Sequence, residues 1–78
     1  MIDILNKIKD NKYEVNIKEN ILHIINYINI INLKDNEIII ELNEYNLLIT
    51  GNQLLIRELD EKEILINGKV SKIELLEK

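Results

Sequence analysis

The chain lacks four residue types altogether: cysteine, proline, tryptophan and phenylalanine. Without cysteine it can form neither a disulfide nor a thiolate metal site, and cysteine usage says nothing about its redox compartment. Only two glycines and one histidine are present. Neither glycine starts a phosphate-binding loop, and a single histidine has no partner at metal-ligand spacing.

Positive charge is also in short supply, since 14 acidic residues outnumber 10 basic ones. The net charge of −4 and the pI near 4.9 argue against nucleic-acid binding, which needs a basic face. No apolar run approaches the ~20 residues of a membrane-spanning helix. No signal-peptide pattern opens the chain either. We therefore expect a small, acidic, soluble protein.

The length of 78 residues allows one domain, which we place at residues 13–78 after an N-terminal segment at 1–12. A core of this size is marginal by area arguments, so stability must come from dense packing or from a partner. Isoleucine and asparagine are abundant, and isoleucine suits β-strands.

Three predicted turns place the apolar residues of segment 37–67 on one face of a four-stranded antiparallel sheet. Gly51-Asn52 has the type II′ hairpin pattern, Asn43-Glu44 forms a second turn, and Glu58 to Lys62 forms a longer loop. Opposite residues in paired strands share a face. The predicted buried face consists of Ile38, Ile40, Leu47, Ile49, Leu54, Ile56, Ile64 and Ile66.

The flanking segments add further elements to this sheet. Alternation predicts strands at Tyr13–Ile17, Ile21–Ile25 and Ile30–Leu33. The N-terminal segment has apolar residues three apart and is compatible with a short amphipathic helix. Near Ser71-Lys72 the alternation breaks, which indicates a β-bulge.

These elements predict an all-β single domain, a small antiparallel meander that forms a sandwich or a barrel-like shape. A β-solenoid is the alternative, because Gly51 and Gly68 follow similar runs, LLITG and ILING. Two-residue hairpin loops favour antiparallel neighbours and so favour the meander. Both glycines are expected at positive φ.

A row of apolar residues is predicted on the other face, which would normally be polar throughout. We call it the apolar stripe, and it consists of Ile39, Leu48, Leu55 and Leu65. Polar residues surround it, as at a contact surface. Either Ile2, Leu5 and Ile8 of the N-terminal segment cover it, or another chain does.

Signals for catalysis are poor. His23 alternates with the apolar residues of its strand, and Thr50 and Ser71 have no cue for an activating base. The acidic loop around Glu58 to Glu63 does not have calcium-loop spacing. We therefore predict no enzyme, no metal and no cofactor.

Residues 24–75 resemble the YabP/YqfC family of sporulation proteins. Asn26 and Tyr27 stand at the asparagine and aromatic positions of its first motif, while Ile25 and Asn29 depart from it. The second motif, L-x-I-x-G-x-x-L-x-I, is matched by Leu47, Ile49, Gly51, Leu54 and Ile56. The third, E-I-x-I-x-G-x-I-x-x-I, is matched by Glu63, Ile64, Ile66, Gly68, Val70 and Ile73.

The resemblance implies a non-catalytic protein of endospore formation that acts as a protein-interaction module in the mother cell. The alternative is a self-assembling structural protein that forms rings or filaments. Because the chain stops soon after the third motif, it is more similar to the YqfC branch. That branch implies a protein partner such as a YqfD-like membrane protein. The implied location is the mother-cell cytoplasm or the face of the membrane around the forespore.

Overall fold

The structure is a computed structural model that describes residues 13–78 and the backbone of a short strand at Lys7–Lys9. In this part of the chain every regular element is a β-strand. The strands are β1 (Lys7–Lys9), β2 (Glu14–Lys18), β3 (Ile21–Ile25), β4 (Asn29–Leu33), β5 (Glu37–Glu41), β6 (Tyr45–Leu59) and β7 (Glu63–Glu77). The prediction of at least five strands is confirmed.

All strand pairs are antiparallel, in one seven-stranded sheet with the order β1-β2-β3-β7-β6-β5-β4. The antiparallel prediction is therefore confirmed. The predicted meander is wrong at one point, because β3 pairs with β7 and not with β4. In the described residues β1 and β4 are the two edges, so the sheet is not closed into a barrel.

Strands β6 and β7 form the centre of the sheet, and both are bent. Each has 15 residues, which would span about 50 Å if straight. The longest dimension of the described residues is only 30 Å. Three register shifts interrupt the β6–β7 ladder, between Thr50 and Gly51, Asn52 and Leu55, and Ile56 and Glu58. Such bulges bend strands, and here they let both halves of the sheet contribute to one core.

The predicted hairpin at Gly51-Asn52 is wrong, since β6 runs through these residues without reversing. Gly51 pairs with Val70, and Asn52 pairs with Lys69. The apolar pattern could not distinguish a hairpin turn at Gly51-Asn52 from a bulge in a continuous strand. A two-residue turn places Ile49 and Leu54 on one face, and so does a bulge that flips the side-chain phase between them.

The register that followed from that hairpin is also wrong in part. Ile66 lies opposite Ile56, and Ile64 lies opposite Leu59, which displaces both from the predicted partners. The pairing of β5 with β6 about Asn43-Glu44 is confirmed, because it places Ile38 opposite Ile49 and Ile40 opposite Leu47. The bulge near Ser71 is confirmed too, since Thr50 pairs with Lys72 and Gly51 with Val70.

Although its register differs, the core is close to the predicted one. Seven of the eight predicted residues are buried, and Ile56 is half-buried against the others. Strands β2 and β3 complete the core with Val15, Leu22 and Ile24, joined by Tyr13 before β2 and Leu42 after β5. Alternation predicted the inward-pointing residues correctly, because a shift of one residue in register would move every apolar side chain of a strand to the other face.

The two glycines meet different structural requirements. Gly68 has a φ of 135°, which confirms the predicted positive angle, and a Cβ there would lie 2.7 Å from the Gln53 carbonyl oxygen. At Gly51 the predicted positive φ is wrong, and the left-handed residue of this bend is Gln53, with a φ of 54°. A Cβ on Gly51 would overlap the Lys69 carbonyl oxygen. Close approach of β7, and not a turn, therefore requires Gly51.

Part of the N-terminal segment contradicts the predicted helix. Lys7–Lys9 form strand β1, in which Ile8 lies opposite Val15. Pairing with β2 favours the extended backbone here over a helix. Ile2 and Leu5, the other residues predicted to cover the apolar stripe, lie outside the described residues.

Candidate interaction surface

The apolar stripe is not a continuous row. Ile39 and Leu48 are direct partners on β5 and β6, but the next neighbour of Leu48 is Glu74 on β7. Because β6 does not turn at Gly51, Leu48 and Leu55 lie seven residues apart on one strand. The sequence predicted that Leu48 and Leu55 lie side by side on neighbouring strands, and this is wrong because both belong to one continuous strand.

The other two members of the apolar stripe lie in the second half of the sheet. Leu65 lies between His23 of β3 and Glu58 of β6, and it is half-buried. Leu55 lies opposite Asn67 and is 63% exposed. Of the four residues, only Leu55 presents a large apolar surface to solvent, which makes it the strongest candidate contact among them.

A second apolar surface, which the sequence analysis missed, follows edge strand β4. Ile28, Ile31 and Leu33 are 51–55% exposed. They lie in or next to a strand whose sequence, NIINL, contains no charged residue. The sequence does show five successive uncharged residues without proline in this strand. They indicate a contact surface only if the strand is an edge of the sheet, and alternation alone does not identify an edge.

Asn26 and Tyr27, the two residues that match the first family motif, both form hydrogen bonds that shape the fold. The Asn26 backbone N–H donates to the Lys62 carbonyl at 2.6 Å, with Asn26 at a left-handed φ of 64°. The Tyr27 hydroxyl donates to the Asp60 carbonyl at 2.7 Å. Both bonds fasten the β3–β4 connection to the turn between β6 and β7.

Asp60 organises that turn through its own side chain. Its Oδ1 accepts the backbone N–H groups of Lys62 and Glu63, each at 2.9 Å. These two hydrogen bonds lower the pKa of the Asp60 carboxyl, with a smaller contribution from the charge of His23. The arrangement is an Asx-type turn, and it reverses the chain where the sequence predicted a longer loop.

His23 lies beside this turn and forms one polar contact. Its Nε2 is 2.9 Å from Glu63 Oε1, across the β3–β7 pair. The hydroxyl of Ser71 donates to the Thr50 carbonyl at 3.1 Å, which places it in the β7 bulge. Among the described residues no group of three acidic, histidine or cysteine side chains is arranged to hold a metal ion.

One surface concavity lies at the bend, with a volume of about 320 Å³. Its lining residues are Asn20, Gln53, Asn67, Gly68 and Lys69. The Asn67 Oδ1 atom is buried and has no hydrogen-bond partner. The lining is thus polar backbone and amide surface at the crossing of β6 and β7.

The described part of the chain contains no helix of the length and hydropathy that crossing a bilayer requires.

Fold and surface together define a class: a small all-β protein with one bent antiparallel sheet and exposed apolar side chains on an uncharged edge strand. The chain belongs to the YabP family, whose family model matches residues 8–78. This membership is consistent with a sporulation-related protein. Comparison with curated proteins and with solved structures finds no match.

Proposed function

We propose that this protein is a non-catalytic protein-interaction module of endospore formation that acts in the mother cell. The observation that carries the proposal is the YabP family match over residues 8–78. The interaction role is supported by Leu55, which exposes 63% of its surface on the sheet. Exposed apolar side chains with a polar surround are typical of contact surfaces.

The proposed partner is another protein, and a YqfD-like membrane protein is the first candidate, as the resemblance to the YabP/YqfC family implies. Such a partner would hold this chain at the membrane around the forespore. The net charge of −4 argues against a nucleic-acid partner.

A pull-down from sporulating cells tests this proposal. The bait is the full tagged chain, compared with Leu55→Glu and with the matched control Asn52→Glu, which adds the same charge at an exposed polar position. We expect the original chain and Asn52→Glu to retain a membrane protein that Leu55→Glu loses. The proposal fails if none of them retains a specific protein and a deletion strain forms heat-resistant spores at the normal frequency.

The alternative function is a self-assembling structural protein that forms rings or filaments. Strand β4 favours it, because β4 is an edge of the sheet in the described residues and exposed edges are templates for further strands. Light scattering of the purified chain separates the two, because an open assembly increases in mass without limit as the concentration rises.

A further inference from the structure

We infer that β4 is a dimerisation edge, where the β4 strand of a second copy pairs antiparallel and continues the sheet from one chain into the other. This inference rests on the proposed role as an interaction module and adds a further partner, a second copy of the chain. An edge strand presents a row of backbone donors and acceptors, and an extended strand is the partner that fits it.

The surface of β4 is suited to an identical copy because it carries no charge. The chain as a whole has a net charge of −4, so two copies repel each other over most of their surfaces. Strand β4 itself adds nothing to this repulsion, since Asn29–Leu33 are asparagine, isoleucine and leucine only. Ile31 and Leu33 expose about half of their surfaces there, and pairing would bury them.

The other edge of the described sheet is strand β1, which is short and basic in sequence. Strand β1 has three residues, and two of them, Lys7 and Lys9, are lysines. An edge strand this short offers few backbone groups to another chain. Of the two edges in the described part of the sheet, β4 is the longer one, with five residues.

The position of the nearest charge selects the direction of pairing. Lys34 follows β4 directly. A parallel arrangement would place the two Lys34 side chains next to each other, at a cost in free energy. An antiparallel arrangement centred on Ile31 separates them by about 20 Å along the strands and places Ile31 against its own copy.

One local feature of β4 bears on this pairing. A register shift between Ile30 and Asn32 makes Ile31 the extra residue, and its side chain is 51% exposed. A bulge opposes pairing with a regular strand, but in the arrangement centred on Ile31 the two bulges lie opposite each other.

The result is a closed dimer and not a filament. A two-fold contact uses the same surface on both chains and leaves no second copy of that surface free. Further growth would have to use β1, the three-residue strand at the other edge of the described sheet, and a strand this short is a poor template for pairing.

Sedimentation over a concentration series tests the inference with three full-length chains. The original chain should form a species of twice the 9.2 kDa chain mass. Ile31→Lys should raise the dimer dissociation constant at least about tenfold, because a charge at an edge opposes pairing. The matched control Leu59→Lys, at an apolar position of β6 that is 54% exposed against 51% for Ile31, should leave that constant unchanged.

Amide hydrogen exchange of the original chain adds a readout that does not depend on a variant. Protection of the β4 amides should increase with protein concentration, while protection of the β1 amides should not. Far-UV circular dichroism of Ile31→Lys serves as the control for folding, and we expect the spectrum of the original chain.

Several results would overturn the inference: a monomer at every concentration, a dimer that Ile31→Lys leaves intact, or open-ended growth. A chain that dimerises only after deletion of residues 1–6 would overturn it as well, because those residues would then be the natural cover. None of these affects the pull-down, in which Leu55→Glu and not Ile31→Lys reports on the sporulation partner.

Discussion

The β6–β7 ribbon has two regions that change the direction of the chain by different physics. In its middle, at Gly51 and Gly68, both strands bend without reversing. At its end, from Asp60 to Glu63, the chain reverses. The middle depends on steric room, since a Cβ on either glycine would meet backbone of the other strand. The end depends on hydrogen bonds from two backbone N–H groups to an exposed carboxylate.

Substitutions are tolerated differently in these two regions. Backbone atoms in a buried crossing cannot move aside for a new methyl group, because the ladders on both sides hold them. Polar groups at an exposed turn can exchange their hydrogen bonds for water. Steric requirements in the middle should therefore outweigh the polar contacts at the end.

The bend is also tied to neighbouring turns. The Gly51 N–H donates to the Asn36 carbonyl at 3.1 Å, and the Leu54 N–H donates to the Asp35 carbonyl at 2.8 Å. On the other strand, the Gly68 N–H donates to the Asn20 carbonyl at 3.1 Å. Each bent strand thus holds the turn of the hairpin beside it, so a disturbed bend should affect the whole sheet.

The largest effect is expected for Gly51→Ala. The new Cβ would overlap the Lys69 carbonyl oxygen, and we expect a loss of at least about 3 kcal/mol, at the upper end of overpacking costs. Urea denaturation followed by circular dichroism measures it. Asn52→Ala, at the exposed neighbour, is the control and should change little. Equal midpoints for the original chain and Gly51→Ala would contradict a steric role for the bend.

Gly68→Ala should have the next largest effect. Its Cβ would lie 2.7 Å from the Gln53 carbonyl oxygen, on a residue with a φ of 135°. Backbone strain of this kind costs about 1–3 kcal/mol. The same denaturation experiment should place its midpoint between those of Gly51→Ala and the original chain. A variant that melts with the original chain would show that β7 does not bend at Gly68.

Tyr27→Phe tests the end of the ribbon and should have a smaller effect. It removes the hydrogen bond from the Tyr27 hydroxyl to the Asp60 carbonyl and leaves the ring against the core. A single hydrogen bond contributes about 0.5–1.5 kcal/mol, so a loss of this size is expected. A loss as large as that of Gly51→Ala would remove the difference between the two regions.

The smallest effect is expected for the charge of Asp60. Its carboxyl pKa lies below the ordinary value of 3.8, since two backbone N–H groups favour the ionised form. A lowered pKa in the folded state contributes stability at pH values above 3.8, and this contribution disappears as the pH falls through the folded-state pKa.

Asp60→Asn keeps an oxygen acceptor for both N–H groups and removes the titration. Urea denaturation across a pH series should show the original chain ahead of Asp60→Asn near neutral pH, with the difference closing in acid. Parallel stability curves at all pH values would exclude a role for the charge.

How far the sequence predicted the fold can be seen from two odd steps in its apolar pattern. The step from Val70 to Ile73 predicted a bulge, and the structure has one at Ser71. The step from Ile49 to Leu54 predicted a hairpin, and the structure has another bulge. Both steps shift the side-chain phase by one residue, so the pattern around each is the same.

The candidate surface was also predicted only in part. The apolar stripe depended on the hairpin at Gly51-Asn52, and its four residues separated when β6 ran through. Edge strand β4 was predicted as a strand, but no local signal identifies an edge. Whether a strand has one neighbour or two depends on residues far away in the chain.

The sequence by itself determined which side chains point inward, where strands β2 to β5 lie, and that Asn43-Glu44 and the Asp60 region turn the chain. These are local properties, set by alternation and by turn-forming residues. Only the tertiary structure decided that β6 continues past Gly51. The second half of β7 pairs with the first half of β6, from Tyr45 opposite Glu77 to Thr50 opposite Lys72. That long-range pairing requires a through-running strand, and no local pattern encodes it.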